Sequence, residues 1–151
     1  MLSRRRITLI TAESCTGGLI AAELTAVPGS SNWFEGAFVT YRLSAKSRMI
    51  GVTAETLDRY GAVSEPTARA MAEGALRASD AGVSVAVTGV AGPGGGDVLA
   101  PVGTVWFGWA LRDPEPRCVQ TARHELSGDR ADVRAQAVVI ALDGLLAVLR
   151  N

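Results

Sequence analysis

The feature that most restricts this chain is a junction. The run Val83-Ser84-Val85-Ala86-Val87-Thr88 leads directly into Gly89-Val90-Ala91-Gly92-Pro93-Gly94-Gly95-Gly96. The β-branched content of the first segment reads as a strand in a central position. The second segment carries five glycines and a proline, and every glycine costs backbone entropy in a helix or strand. It is therefore a loop, and a loop after a buried strand is where α/β domains place their sites. Glycines let a ligand approach bare amides, so Gly89, Gly92 and Gly95 are candidate contact positions. The lysine-serine ending of a P-loop is missing, which argues against ATP.

A second junction stands near the N-terminus. Ile7 to Thr11 reads as a short strand and Leu19 to Leu24 as an apolar-periodic helix. Between them lies Thr11-Ala12-Glu13-Ser14-Cys15-Thr16-Gly17-Gly18, crowded with hydroxyls, a thiol and two glycines. The helix end offers N–H groups that could hold a phosphate or the oxyanion of acyl transfer. The competing reading is simple helix capping by Ser14 or Thr16. The loop is neither a G-x-S-x-G elbow nor a Walker loop.

The remaining elements set the fold class. Trp33 to Tyr41 reads as a strand and Ser44 to Met49 as a short helix. Thr53 caps a helix through Leu57, and Ser64-Glu65-Pro66 starts one running to about Ser79, with Ala68, Met71, Ala72 and Ala75 as its small-residue stripe. Val102 to Ala110 and Val119 to Leu126 read as strands joined in a hairpin through Asp113-Pro114-Glu115-Pro116. Asp129 to Leu149 is a long helix whose Ala137, Ile140, Ala141, Gly144, Leu145 and Val148 face the sheet. Helices interrupt the first half and strands cluster in the second. That order predicts an α/β fold: a three-layer α/β/α sandwich with a mixed central sheet. With 151 residues, one domain spanning 1–151 is expected.

Composition narrows the function. Fifteen basic residues balance fifteen acidic ones, so no global field draws the chain to nucleic acid or anionic lipid. The run Arg4-Arg5-Arg6 reads as a solvated tail. No apolar stretch approaches a membrane span. The two cysteines, Cys15 and Cys118, imply no disulfide framework, and a reducing, cytoplasmic compartment is expected. One histidine and no CxxC, HExxH or EF-hand pattern leave no expectation of a metal or cofactor. A small-molecule enzyme fits best.

Ser14 is an unactivated alcohol until a base removes its proton. His124 and Lys46 are the candidates. Lys46 is the only lysine, and lysine loses its charge on burial where arginine does not. Cys15 is a rival nucleophile if the helix end lowers its pKa. Tyr41, five residues before Lys46, could relay a proton or orient a phosphate. Arg130 or Arg134 could grip an anionic ligand.

The chain resembles the C-terminal domain of the competence-damage-inducible CinA family, whose stand-alone members are nicotinamide-nucleotide amidases. The likeness covers nearly the whole chain. It rests on Thr11 to Gly18, Trp33-Phe34-Glu35-Gly36, Gly61-Ala62-Val63-Ser64-Glu65, Thr88-Gly89-Val90-Ala91-Gly92-Pro93, Pro101-Val102-Gly103-Thr104-Val105 and Ser127-Gly128-Asp129-Arg130. The resemblance implies a self-associating domain that deamidates nicotinamide mononucleotide to nicotinate mononucleotide and ammonia. It implies Ser14 as nucleophile and Lys46, Tyr41 and Thr88 as supporting residues, with Lys46 as the base. Amides at the start of the first helix would hold the oxyanion, and Thr88 would fix the amide or the serine hydroxyl. Tyr41 would orient Lys46 or help protonate the leaving ammonia. Glu13, Cys15, Thr16, Gly17, Gly18, Arg42, Gly89, Gly92, Gly95 and Arg130 would surround the nucleotide.

Three places depart from the family pattern. Arg42-Leu43 stands where serine-asparagine is usual, Ala100 stands where lysine is usual, and only Met1 to Arg6 precede the first strand. The alternative roles for the same fold are a non-catalytic nucleotide-binding sensor and an interaction module.

Overall fold

The valine-rich run lies at the middle of the sheet. The computed structural model describes residues 1–150 and contains strands β1 (Leu9–Glu13), β2 (Phe34–Val39), β3 (Val83–Gly89), β4 (Thr104–Arg112) and β5 (Pro116–Glu125). Their spatial order is β2-β1-β3-β4-β5. β1 pairs in parallel with both β2 and β3, while β4 pairs antiparallel with β3 and β5. The sheet is mixed, as the clustering of strands in the second half requires.

The helices are α1 (Leu2–Arg5), α2 (Leu19–Thr25), α3 (Leu43–Ile50), α4 (Ala54–Tyr60), α5 (Glu65–Arg77) and α6 (Arg130–Val148). They form two layers because alternate residues of the strands feed two cores. Val83, Val85 and Val87 join Phe107 and Trp109 beneath α2 and α6. Ala86, Ala110, Ile10 and Ala12 face Met71, Ala72, Ala75 and Leu76 of α5. The small stripe on α5 permits close approach: a Cβ on Gly108 of β4 would lie 2.7 Å from the Ala68 carbonyl. Ser84 is buried against α5 without an unmet donor, since its hydroxyl reaches the Ala72 carbonyl at 2.7 Å.

Helix starts follow local chemistry. Thr53 accepts from the Thr56 N–H, Ser64 from the Thr67 N–H, and Asp129 forms a reciprocal capping box with Asp132. The tail expected before the first strand instead makes the single turn α1, with its arginines exposed. No helix among the described residues is long and apolar enough to cross a membrane.

β2 is shorter than expected, at Phe34–Val39, and β5 starts earlier, at Pro116 inside the expected turn; two further differences matter for the site. β1 begins at Leu9 and runs on through Glu13, so that carboxylate belongs to the sheet and is fully buried. β4 begins at Thr104, because Gly103 adopts φ 93° and a Cβ there would collide with the Leu126 carbonyl. β1, β2 and β3 are parallel, so their C-terminal ends share one edge of the sheet. The Ser14 N–H reaches the Val87 carbonyl at 3.0 Å, and the Thr40 N–H reaches the Glu13 carbonyl at 2.8 Å. These bonds draw the loops after all three strands into one cleft.

Candidate active site

Ser14 is the first residue beyond β1 and lines a cavity of about 250 Å³. Cys15, Tyr41, Lys46, Thr88, Gly89, Gly92, Gly95 and Arg130 share its wall. The candidate contact residues left out Ala62, Val63, Val90, Ala91 and Gly94, small residues that complete the lining. Only their place in the fold reveals them.

Lys46 approaches from the second turn of α3 and is 1% exposed. Its Nζ lies 2.9 Å from Ser14 Oγ, 2.7 Å from the Thr40 carbonyl and 3.3 Å from the Tyr41 carbonyl. No carboxylate lines the cavity. Burial without an acidic partner lowers the lysine pKa from 10.5 to about 8. The oxygen count then matters. A protonated amine can donate to all three oxygens. A neutral amine keeps its two N–H bonds for the carbonyls and leaves its lone pair to accept the Ser14 proton. The fold thus holds the amine in the orientation a general base needs.

Cys15 stands beside Ser14, but burial raises its thiol to about 11. It is a neutral thiol near neutral pH, so the structure favours the serine. His124 is removed from this chemistry: it sits on β5 opposite Val105, edge-on to the Phe107 ring.

Tyr41 is placed differently from the expectation. Its backbone carbonyl, not its hydroxyl, faces Lys46, while the hydroxyl accepts from Arg130 Nη2 at 3.1 Å. Arg130 Nη1 also donates to the Gly92 carbonyl at 2.8 Å, so this guanidinium bridges the first and second walls of the cavity. Two of its five N–H groups are engaged in this way, and three remain for a ligand. Thr88 lines the cavity, but its hydroxyl donates to the Ala62 carbonyl at 2.7 Å. It is left to act as an acceptor, not as a donor to Ser14.

Five residues expected around the nucleotide lie outside the cavity wall. Glu13 accepts from Thr11 Oγ1, Thr16 Oγ1 and the N–H groups of Gly18, Ile20 and Ala21, at 2.8 to 3.1 Å. Its charge is consumed by the protein itself. Thr16 is fully buried with its hydroxyl on Glu13. Gly17 and Gly18 take φ 57° and 99°, which lets the loop fold around that carboxylate. The start of α2 therefore cannot offer those amides to a substrate. Arg42 is exposed at the N-cap of α3, away from the cavity. Arg134, by contrast, reaches back from α6 to the Cys15 carbonyl at 3.0 Å and the Thr16 carbonyl at 3.3 Å. No cluster among the described residues has the makings of a metal site.

The fold and site define a class: a mixed-sheet α/β/α domain with a serine hydroxyl set against a buried lysine that has no acidic partner, an arrangement chemically able to activate a hydroxyl. The CinA C-terminal domain model matches residues 1–149, and the chain belongs to that family. It is 53% identical to the nicotinamide-nucleotide amidohydrolase PncC of Enterobacter agglomerans over 135 residues, covering 89% of this chain and 80% of that one. It is 51% identical to the protein of the same name from Escherichia coli strain K12, over 95% of this chain and 86% of that one. Among solved structures, the competence damage-inducible protein A of Klebsiella pneumoniae superposes with a TM-score of 0.92 at 40% identity. That match spans 99% of this chain and 91% of the other.

Proposed function

We propose that this chain hydrolyses the carboxamide of nicotinamide mononucleotide to nicotinate mononucleotide and ammonia. The observation that carries the reading is the 2.9 Å contact between Lys46 Nζ and Ser14 Oγ, in a cavity free of carboxylates. Similarity to nicotinamide-nucleotide amidohydrolases supports the substrate.

The reaction balances on these residues. Neutral Lys46 takes the Ser14 proton as Oγ bonds to the carboxamide carbon and the C=O electrons move to oxygen. The tetrahedral intermediate collapses with cleavage of the C–N bond, and the ammonium of Lys46 returns its proton to the leaving nitrogen, releasing ammonia. Water then attacks the acyl-serine, gives a proton to Lys46, and frees the acid as Ser14 recovers its hydrogen. Arg130 offers its spare N–H groups to the phosphate of the nucleotide. The Thr88 hydroxyl oxygen accepts a hydrogen bond from the carboxamide N–H. This reading takes residues 1–151 as one catalytic domain that self-associates and works in the cytoplasm, where the free thiols Cys15 and Cys118 persist.

The test is ammonia and nicotinate mononucleotide formation by wild type, Ser14→Ala and Lys46→Ala. Turnover that vanishes in both variants is expected. Turnover surviving in Ser14→Ala overturns the nucleophile, and a folded wild type that binds the nucleotide without releasing ammonia overturns the hydrolase reading.

A further inference from the structure

Donor accounting around Ser14 leaves two backbone N–H groups without a strong acceptor. The Gly17 N–H reaches the Ser14 carbonyl and the Leu19 N–H the Thr16 carbonyl, each at 3.0 Å. Those of Gly18, Ile20 and Ala21 go to Glu13. The Cys15 N–H meets only its own thiol sulfur, a weak acceptor, and the Thr16 N–H has no acceptor among the described residues, although both residues are buried. Buried backbone donors are almost always well paired, so two adjacent donors left as orphans by every strong acceptor, beside a nucleophile, need a reason.

Each orphan belongs to a peptide plane whose carbonyl end is pinned. A trans peptide is rigid, so holding its C=O sets the direction of its N–H. The plane ending in the Cys15 N–H is held by the Gly17 bond to the Ser14 carbonyl. The plane ending in the Thr16 N–H is held by Arg134 Nε on the Cys15 carbonyl. A guanidinium on that oxygen also polarises the peptide and strengthens its N–H as a donor. Gly17 leaves room for the clamp, because a Cβ there would lie 3.4 Å from Arg134 Nη2.

We propose that Arg134 is a positioning residue, which holds the Thr16 N–H directly through the Cys15 carbonyl and the Cys15 N–H indirectly, through the Thr16 carbonyl and the Gly17 N–H, as the donor pair for the oxyanion formed when Ser14 attacks. The proposal rests on the serine hydrolase reading above. Arg134 touches no reacting atom; it acts through the two carbonyls it grips.

The experiment uses two substrates, so that an error about the nucleotide and an error about Arg134 look different. The first is nicotinamide mononucleotide. The second is a small alkyl fluorophosphonate, which needs only Ser14 and an oxyanion site: Oγ bonds to phosphorus, fluoride leaves, and Lys46 takes the proton. Labelling is followed by intact mass in wild type, Arg134→Met and Arg134→Lys. Wild type is expected to label at Ser14, and Arg134→Met to label about a hundredfold more slowly, within the range seen for loss of an oxyanion donor. The midpoint of its pH profile should stay with Lys46. Arg134→Lys should recover part of the rate, and added methylguanidinium should restore Arg134→Met at least about tenfold. With the nucleotide, kcat should fall while KM moves less than about twofold.

Wild-type labelling by folded Arg134→Met overturns the proposal. So does a loss that follows its melting temperature and ignores methylguanidinium. Labelling without turnover of the nucleotide overturns the substrate assignment alone, and the Arg134 comparison still stands on labelling rates. No labelling of wild type overturns Ser14 and the proposal with it.

Discussion

The two loops that enclose the cavity look alike in composition and are built on opposite principles. The loop after β1 is wired by charge: Glu13 accepts five hydrogen bonds inside it, and Arg134 adds two from α6. The loop after β3 is held mainly at its rim. Arg130 takes the Gly92 carbonyl, and the Asp97 carboxylate accepts from the N–H groups of Leu99 and Ala100. Between those points Gly94 has no neighbour that a Cβ would meet, and Val98 is 96% exposed. Glycine serves tight closure around a carboxylate in the first loop, whereas in the second Gly89, Gly92 and Gly96 pack closely and Gly94 stands in open space. Ser14 adjoins the loop whose polar groups are bonded throughout, and the cavity is bordered on its other side by the loop bonded mainly at its rim.

The largest expected effect breaks the chemistry itself. Ser14→Ala and Lys46→Met should each lower kcat/KM by at least about a thousandfold, measured by ammonia release. Comparable losses from Asp97→Asn would show that the second loop is no less exacting than the first.

Glu13→Gln comes next. It removes the charge that five donors converge on and turns an amide NH₂ toward them, which should cost about 3 kcal/mol of stability in urea unfolding. Asp97→Asn should cost less than about 1 kcal/mol, because its partners are exposed or at the rim. Equal costs would erase the distinction between the loops.

A pH series tests the lysine. The folded state holds Lys46 near 8, against 10.5 for an ordinary lysine. Between those values the unfolded chain binds a proton that the folded chain lacks, so this group makes stability rise with pH across the window. Below it the folded chain carries a buried charge, a penalty of roughly 3 kcal/mol that is relieved as pH rises. Lys46→Met should flatten that slope. Wild-type activity should climb through about pH 8 as the amine becomes neutral, and a flat profile from about pH 7 to about pH 9 would remove Lys46 as the base.

The smallest effects lie in the glycines. Gly17→Ala forces a side chain into φ 57° and should cost about 1 kcal/mol in thermal unfolding. Gly94→Ala meets nothing and should stay within about 0.5 kcal/mol of wild type.

Most of the architecture could be read from the chain because it is written locally. Ser64 before Pro66, Thr53 before Ala54, and Asp129 with Asp132 announce helix starts over three or four residues. The β-branched content of β3 announced its central position. The meaning of the loop residues was not local. Glu13 resembles a polar loop residue, yet its partners include amides seven and eight residues ahead. Tyr41 suggested its hydroxyl, whereas its carbonyl meets the lysine. Arg134 reaches carbonyls more than a hundred residues earlier, a pairing that no spacing rule contains.

One packing detail sets the aim of both arginines. The Trp109 ring lies against Gly144 of α6, where any Cβ would collide with it, and its indole N–H donates to the Ala141 carbonyl at 3.0 Å. Arg130 is fourteen residues up the same helix, or about 21 Å at 1.5 Å per residue. The helix is thus a lever with its fulcrum in the core. A methyl group at Gly144 that tilted it by about 5° would swing the Arg130 end by about 2 Å, at the helix rise of 1.5 Å per residue. An inactivating change can therefore lie about four helical turns from Arg130, which borders the cavity, and this glycine is the first place to seek one.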